Sequence, residues 1–381
     1  MSVTPFTPTI APDVLEDLRD RLRGTRWPDE LHGVGWDQGT SSAVLRSFVR
    51  SWLEDFSWAE QEERLAGFSH VRVDVDGHGV HAVHERAPRA EGAAEPLPLL
   101  LLHGWPSSVV QMLPVLGPLA RPGEHGGQAH DAFDVVALSL PGYGFSDRPT
   151  QPGTDVARIA DVCVQVMEQL GYPRFAARGS DLGAGVLQQL GLQHPDRLIG
   201  LHLSGTNPYL GYVPQDLAPA EEEFVQRAQA WNATEMAYAM EHSSKPQTLA
   251  HALNDSPAGL ASWILEKFRT WSDCGGDLDS VYSRDDLLTN LTIYWATQTI
   301  GSSMRLYYET AHSSRAAYGR VEVPTGMAMS GADMFPTPRE WVERSYNVTS
   351  WTDLPRGGHF LEWEVPDLVV DDIRTFFRGH R

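Results

Sequence analysis

Lysine and cysteine are almost absent from this chain of 381 residues, which contains two of each. The cysteines, Cys163 and Cys274, lie far apart and show no ligand spacing, so the sequence predicts neither a disulfide framework nor a cysteine-based metal site. Lysine and arginine together number 30, so 28 of them are arginines. This bias, with abundant alanine and glycine, is typical of a GC-rich genome.

Positive charge is scarce as a whole, because 50 acidic residues stand against those 30 basic ones and give a formal charge of −20. Such a charge repels nucleic acid and anionic membrane surfaces, so neither is an expected partner. The chain lacks an apolar run near the roughly 18 residues of a membrane span. Its first residues also lack the pattern of a signal peptide. The sequence therefore predicts a soluble, cytoplasmic protein.

The first 92 residues do not form a series of alternating strands and helices. Apolar spacing predicts helices from Pro12 to Arg23 and from about Ser41 to Leu53, with a meander rich in tryptophan, proline and glycine between them. Val71–Val75 and Val80–His84 alternate in polarity around Asp76-Gly77, which predicts a β-hairpin.

Three histidines of this hairpin, His78, His81 and His84, are candidates for a metal site. Strand geometry puts His81 and His84 on opposite faces, and no cysteine or aspartate completes a ligand set. We therefore expect ordinary histidines of an edge strand rather than metal ligands.

Beyond residue 92, continuous apolar strands alternate with helices, a pattern typical of a parallel sheet buried on both faces. Strands are predicted at Leu97–Leu102, Val135–Leu138, Phe175–Ala177 and Leu198–Leu203, and helices at Val156–Leu170 and Gly183–Leu192. Residues 209–318 are helical and aromatic, and the alternation resumes at Val321 and ends near Asp367–Phe377. The sequence thus predicts an α/β fold with a mostly parallel central sheet and helices on both faces. Its parts are a meander and hairpin (1–92), a first core part (93–208), a helical lid (209–318) and a second core part (319–381).

The segment Arg178-Gly-Ser-Asp-Leu-Gly-Ala184 follows one of these strands and opens a helix. Small residues two before and two after Asp181 permit a strained strand-to-helix turn that lifts the central side chain above the sheet. A carboxylate in that position can attack carbon and form an alkyl ester. The alternative is a turn aspartate that caps the next helix.

Two further segments favour the catalytic interpretation. His103-Gly-Trp-Pro106 follows the first long apolar strand, where an α/β-hydrolase supplies one oxyanion-hole N–H; the donors here would be the backbones of Trp105 and Leu182. Gly357-Gly-His359-Phe precedes the last helix, where a flexible loop can hold an imidazole over the turn. The order nucleophile, acid, histidine is that of the α/β-hydrolase fold.

The acid that orients His359 should follow a late strand. Asp333, in the loop after the strand that starts at Val321, meets that expectation. Asp353 is the competitor, but it lies only six residues before His359, where the strand that carries the loop should end. We favour Asp333.

Over nearly its whole length the sequence closely resembles the microsomal-type epoxide hydrolases of the α/β-hydrolase superfamily. The matching segments, besides the tryptophan-rich meander, are His103–Pro106, Leu140–Ser146, Ser180–Gly183, Ala252–Pro257, Ile264–Phe268, Asp285–Asn290 and Gly357–Phe360. In that family two lid tyrosines hold the epoxide oxygen. Alignment on the lid segments puts them at Tyr238 and Tyr307, with Tyr308 as the alternative to the latter, and the family's acid falls on Asp333.

The resemblance implies a substrate, a product and a mechanism. Asp181 would open the epoxide to a hydroxyalkyl ester, the phenols would protonate the alkoxide, and water activated by His359 would release a vicinal diol. The partners implied are an epoxide and water, with no metal or organic cofactor, and a homodimer is the expected assembly. Lid aromatics suggest a bulky aryl or apolar substrate: Trp231, Trp263, Trp271, Tyr294 and Trp295. With the GC-rich composition, the resemblance suggests an actinobacterial natural-product pathway, for example that of an enediyne antibiotic.

Three other functions are weighed against this one. A haloalkane dehalogenase shares the aspartate nucleophile but commonly carries a tryptophan directly after it, where this chain has Leu182. A serine esterase needs serine at the turn, whereas Ser180 is one position off and Ser204 lacks the flanking glycines. A binding protein on an inactive hydrolase core should have lost the nucleophile, acid or base, and none is missing here.

Overall fold

The computed structural model of the protein describes residues 2–89, 95–205, 214–334 and 336–381. The strands in these ranges are β1 Val3–Pro5, β2 His70–Val75, β3 His78–Glu85, β4 Leu97–Leu102, β5 Phe133–Leu138, β6 Phe175–Ser180, β7 Leu198–Ser204, β8 Val321–Ser330 and β9 Tyr346–Leu354. The predicted domain boundaries at 92/93 and 208/209 lie outside the described residues, and the division into four parts stays a prediction.

The α-helices of the same ranges fall into three groups along the chain. Near the N-terminus are α1 Pro12–Arg23, α2 Ser42–Glu54 and α3 Trp58–Ala66; in the core are α4 Leu113–Ala120, α5 Val156–Gln169 and α6 Asp181–Gln193. Between β7 and β8 are α7 Pro219–Glu235, α8 Ala237–Ser244, α9 Pro246–Asp255, α10 Pro257–Trp271, α11 Arg284–Ala296 and α12 Ile300–Ala311. The last three are α13 Arg339–Glu343, α14 Leu361–Glu364 and α15 Pro366–Arg378.

The described strands form one sheet in the order β1-β2-β3-β5-β4-β6-β7-β8-β9. From β5 to β9 all neighbours are parallel, whereas β1, β2 and β3 join by antiparallel pairing. Helices cover both faces, which explains why β4 and residues 135–138 of β5 are continuous apolar runs. The carboxyl ends of the parallel strands therefore meet along one edge, where side chains from several loops can converge.

The structure confirms most of the predicted elements and corrects one prediction. The predicted N-terminal helices and the hairpin are present. The prediction of an edge strand is wrong, because β3 pairs with β2 on one side and with β5 on the other. His81 is consequently fully buried, with its ring nitrogens bonded to His70 and Ser139. Helix α3 was not predicted.

Helices between β7 and β8, α10 and α11, pack on the N-terminal helices. The indole N–H of Trp52 in α2 donates to Thr292 Oγ1 in α11 at 2.9 Å, and both groups are buried. Arg21 of α1 forms an ion pair with Asp255 at the end of α9. None of the helices in the described ranges is both long and apolar enough to cross a membrane.

Candidate active site

The turn between β6 and α6 holds Asp181 in a conformation that side chains rarely adopt. Its φ is +52°, in the left-handed region. Neighbouring glycines make room for it: a Cβ on Gly183 would lie 2.5 Å from the carbonyl oxygen of Leu102, and one on Gly104 would lie 2.3 Å from Cβ of Asp181. The small residues on either side of this turn are therefore a steric requirement, and the strain marks a functional position.

The Asp181 carboxylate contacts a backbone donor on one side and an imidazole on the other. The N–H of Trp105 donates to Oδ1 at 2.9 Å, and Oδ2 lies 3.3 Å from Nε2 of His359. Leu182 is the second residue of α6, so its N–H has no partner within the helix. Of the two expected oxyanion donors, the N–H of Trp105 thus contacts the carboxylate, whereas the role of the Leu182 N–H stays a prediction.

His359 lies between two carboxylates. Its Nδ1 is 2.8 Å from Oδ1 of Asp333, which also accepts the N–H of Met334 at 2.7 Å. The backbone N–H of His359 donates to the carbonyl oxygen of Trp271 at 2.8 Å and fixes the loop on α10. Asp353 lies within β9, where it accepts the indole N–H of Trp351. Of Asp333 and Asp353, the one in contact with Nδ1 of the imidazole is therefore Asp333.

The surroundings of His359 strongly favour its protonated form. Burial alone would lower the pKa of the imidazole, but the charge of Asp333 and the hydrogen bonds with Asp181 and Asp333 outweigh it and raise the pKa to about 10. The sequence does not reveal this raised pKa, because it does not show that two carboxylates share one imidazole ring.

Tyr238 of α8 and Tyr307 of α12 face Asp181 across the cavity. Their ring centroids are 6.0 Å apart, and the ring of Tyr238 stacks on that of Trp105 at 5.2 Å. Burial, with the nearby Tyr238 and the charge of Asp181, raises the pKa of Tyr307 well above its usual value, so this phenol stays protonated. Tyr308 is 37% exposed and stacks on His312, away from the lining of the cavity.

The cavity above Asp181 has a volume of 580 Å³. Of the lid aromatics singled out in the sequence, Trp231 lines it. Trp271 packs against Tyr238 and His359, Tyr294 donates to the carbonyl oxygen of Ser107, and Trp295 lines a separate groove. Within this set, Trp231 thus lines the cavity and Trp271 packs behind its lining residues.

Several lining residues were missed in the sequence because no motif marks them. They are Met236, Ser243, Thr310, Tyr318 and Met334 from the lid and the acid loop, and Gln188 and Gln189 from α6. The positions of Gln188 and Gln189 could have been inferred, since they lie about two turns after Asp181 on the same helix. Within the described residues, no group of three or more histidine, cysteine or acidic side chains could hold a metal ion.

Comparison with known proteins shows to which family this chain belongs. A family model described as epoxide hydrolase N terminus matches residues 3–112, and the model of the alpha/beta hydrolase fold matches residues 98–265. A protein of Stigmatella aurantiaca (strain DW4/3-1), whose assigned name is that of an epoxide hydrolase, is 40% identical over 100% of this chain and 86% of its own length. Epoxide hydrolase 1 of Oryctolagus cuniculus is 32% identical over 98% of this chain and 88% of its own. The chain belongs to the microsomal-type epoxide hydrolase family.

A solved epoxide hydrolase structure agrees with this assignment across the whole chain. The juvenile hormone epoxide hydrolase of the silkworm Bombyx mori superposes with a TM-score of 0.86 at 30% identity, covering 100% of this chain and 94% of that one. The fold is therefore the α/β-hydrolase fold, and the protein is a hydrolase of the epoxide class. The esterase and dehalogenase alternatives lose their support.

Proposed function

We propose that this epoxide hydrolase converts a bulky apolar epoxide to a vicinal diol through a covalent ester on Asp181. One observation carries the proposal: a carboxylate strained above the sheet at φ +52° has the Trp105 N–H on one oxygen and His359 on the other. Tyr238 and Tyr307 line the same cavity, so a small ring between them and Asp181 meets a nucleophile and two acids.

In the first step, an oxygen of Asp181 bonds to a ring carbon while the ring C–O bond breaks. The electron pair moves onto the epoxide oxygen, which takes a proton from a phenol and becomes a hydroxyl group. The carboxylate needs no base for this step, because an aspartate is already ionised near pH 7. His359 is an imidazolium at this stage, as its raised pKa implies.

The second step needs a neutral His359, and formation of the ester favours loss of the proton from the imidazole. An ester has no charge, so the contribution of Asp181 to the raised pKa of His359 disappears and the imidazole can release its proton. His359 then takes a proton from water as the water attacks the ester carbonyl. The oxyanion rests on the N–H groups of Trp105 and Leu182. As the ester C–O bond breaks, the proton that His359 took from water passes to the departing alkoxide and gives the diol. The proton of the regenerated Asp181 acid then moves to His359.

The size and lining of the cavity support a bulky substrate. A volume of 580 Å³ lies in the range of sites that enclose drug-sized ligands. The lining includes the apolar side chains of Trp231, Met236 and Met334. We extend the proposal to an aryl or other large apolar epoxide.

A single turnover in ¹⁸O-water tests the covalent mechanism. With enzyme in excess, the label should enter Asp181 and be nearly absent from the first diol, because the diol oxygen comes from the carboxylate. Tryptic mapping of the Asp181 peptide and mass analysis of the diol measure both. Label mainly in the first diol would show direct attack by water and remove Asp181 from its role.

We also propose an assembly, a location and a pathway for the enzyme. A homodimer, a cytoplasmic location and a role in actinobacterial natural-product biosynthesis stay predictions. Light scattering of the purified protein tests the dimer, and genomic context tests the pathway.

A further inference from the structure

A buried cation lies behind one of the two phenols. Lys267 of α10 is one of the two lysines of the chain, and its side chain is only 7% exposed. Its Nζ is 5.1 Å from the centroid of the Tyr238 ring and 5.8 Å from that of Trp271. Lys267 belongs to the segment Ile264–Phe268, which matches the family in sequence. The proposed mechanism assigns this segment no role.

The two phenols consequently have different electrostatic surroundings. Within the part of the chain that the structure describes, no lysine or arginine lies over the ring of Tyr307. Tyr307 is buried near the negative charge of Asp181, and both conditions oppose loss of its proton. A phenol that gives up its proton spreads negative charge over its ring, and a cation near the ring stabilises that charge.

Two carboxylates next to Lys267 oppose this effect of its charge. Nζ lies 2.5 Å from Oε2 of Glu266 and 3.8 Å from Oε2 of Glu235. His242 packs edge-on against both Tyr238 and Tyr307 but carries no charge, because burial and the charge of Lys267 lower its pKa to about 3. The carboxylates of Glu266 and Glu235 thus weaken the effect of the ammonium on Tyr238, which makes Glu266 a useful site for a test.

We infer that Tyr238, not Tyr307, gives its proton to the opening epoxide, and that Lys267 is a positioning residue that stabilises the resulting phenolate. Tyr307 donates a hydrogen bond to the same oxygen and keeps its proton. The proton balance closes within the cycle: Tyr238 regains a proton from solvent as His359 releases one, and hydrolysis returns the proton of the Asp181 acid to His359. This inference rests on the proposed function.

The test measures the rate at which Asp181 is alkylated in a His359→Gln background, where the ester should persist. Rapid quenching of enzyme with a styrene-type epoxide, followed by intact-protein mass spectrometry, gives the rate. Lys267→Met should slow alkylation by roughly 10- to 30-fold, because the ammonium stabilises the developing phenolate more than it stabilises the neutral phenol. Lys267→Arg should retain most of the rate, because it keeps the charge.

A double-mutant cycle identifies the phenol through which Lys267 acts. In a Tyr238→Phe background, Lys267→Met should have little further effect, whereas in a Tyr307→Phe background it should slow alkylation as it does with both phenols present. The reverse pattern would make Tyr307 the donor and overturn the inference.

Two further variants separate charge from packing. Glu266→Gln removes a negative charge beside Nζ and should leave alkylation as fast or faster; slow alkylation in both Glu266→Gln and Lys267→Met would mean that the ion pair only holds the helix. Arg269→Met is the matched control on the same helix, because Arg269 lies over the ring of Trp36, away from the site, and its loss should not change the rate.

The outcomes for the two proposals are distinct. If the His359→Gln protein never gains the mass of the substrate, the covalent mechanism itself fails. If the His359→Gln protein gains that mass at the same rate with and without Lys267→Met, the covalent mechanism stands and the role inferred for Lys267 is wrong.

Discussion

A buried imidazole between two carboxylates is a poor base until one of the carboxylates loses its charge. His359 is in that situation, with Asp181 on Nε2 and Asp333 on Nδ1. In the proposed mechanism, the residue that attacks the epoxide is also the residue whose charge keeps the base protonated. Alkylation of Asp181 would remove that charge, so the order of the two chemical steps would follow from the electrostatics of three side chains.

His359→Gln should therefore react once with substrate and then stall. Alkylation needs no base, whereas hydrolysis of the ester does, so the protein should accumulate with one added substrate mass on the Asp181 peptide. Intact-protein and peptide mass spectrometry measure this directly. A folded variant that binds substrate but never becomes alkylated would contradict the two-step mechanism.

Asp333→Asn should stall at the same step, but less completely, because Asp333 orients the imidazolium and does not take the proton. Asp353→Asn is the matched control: it is a nearby aspartate that lies in β9 and contacts Trp351 rather than the imidazole. Steady-state turnover of both variants should separate them clearly. Normal turnover of Asp333→Asn together with stalling of Asp353→Asn would reverse the assignment of the acid.

Replacement of either phenol should affect the first step, alkylation of Asp181, and not the second. Tyr238→Phe and Tyr307→Phe should each slow alkylation by on the order of 10²- to 10³-fold, by analogy with the loss of one oxyanion donor. Hydrolysis of any ester that forms should be nearly unchanged. Tyr308→Phe, at the exposed neighbouring position, is the control and should behave as the parent enzyme. Near-normal alkylation in the double variant at Tyr238 and Tyr307 would exclude both phenols as acids.

At the scale of elements, the turn between β6 and α6 is held by close contact of backbones. A Cβ on Gly183 would meet the carbonyl oxygens of Leu102 at 2.5 Å and of His103 at 2.9 Å. Gly183→Ala should therefore displace α6 from β4 and lower the free energy of unfolding by ~1–3 kcal/mol, as overpacking does. Urea denaturation measures the loss.

Gly185 supplies the control for this prediction, because it lies two residues further along α6 and a Cβ there would make only an ordinary contact with Val156 at 3.9 Å. Gly185→Ala should stabilise the helix by ~0.5–1 kcal/mol. If both alanine variants are equally stable, helix propensity rather than the close approach of α6 to β4 determines the stability of this turn.

Local patterns in the sequence predicted many of the helices and strands, but not which strands pair with one another. The continuous apolar runs identify β4 and β5 because a fully buried parallel strand has no polar face, and the glycines around Asp181 identify the turn. The position of β3 inside the sheet was missed, because pairing with β5 is a contact between residues fifty or more positions apart. The lid tyrosines came from the family resemblance, since a tyrosine in an aromatic helix has no local mark of its role.

At the scale of the whole molecule, the protonated state of His359 should make stability depend on pH. Its pKa is raised from an ordinary 6.5 to about 10 in the folded protein. Between these values the folded state holds a proton that the unfolded state has lost, so the contribution of His359 to stability is complete below about pH 6.5 and falls as pH rises toward 10. The contribution of His359 should lower the unfolding free energy of the enzyme over this range by up to ~1.4 kcal/mol per pH unit.

Replacement of His359 by glutamine removes this group, while the tyrosines, cysteines and arginines that titrate at high pH remain. The difference in unfolding free energy between the two proteins therefore isolates the contribution of His359. Urea denaturation of both at pH 7, 8 and 9 should give curves that converge as pH rises. Parallel curves would mean that His359 is neutral in the resting enzyme and that Asp181 does not hold it protonated.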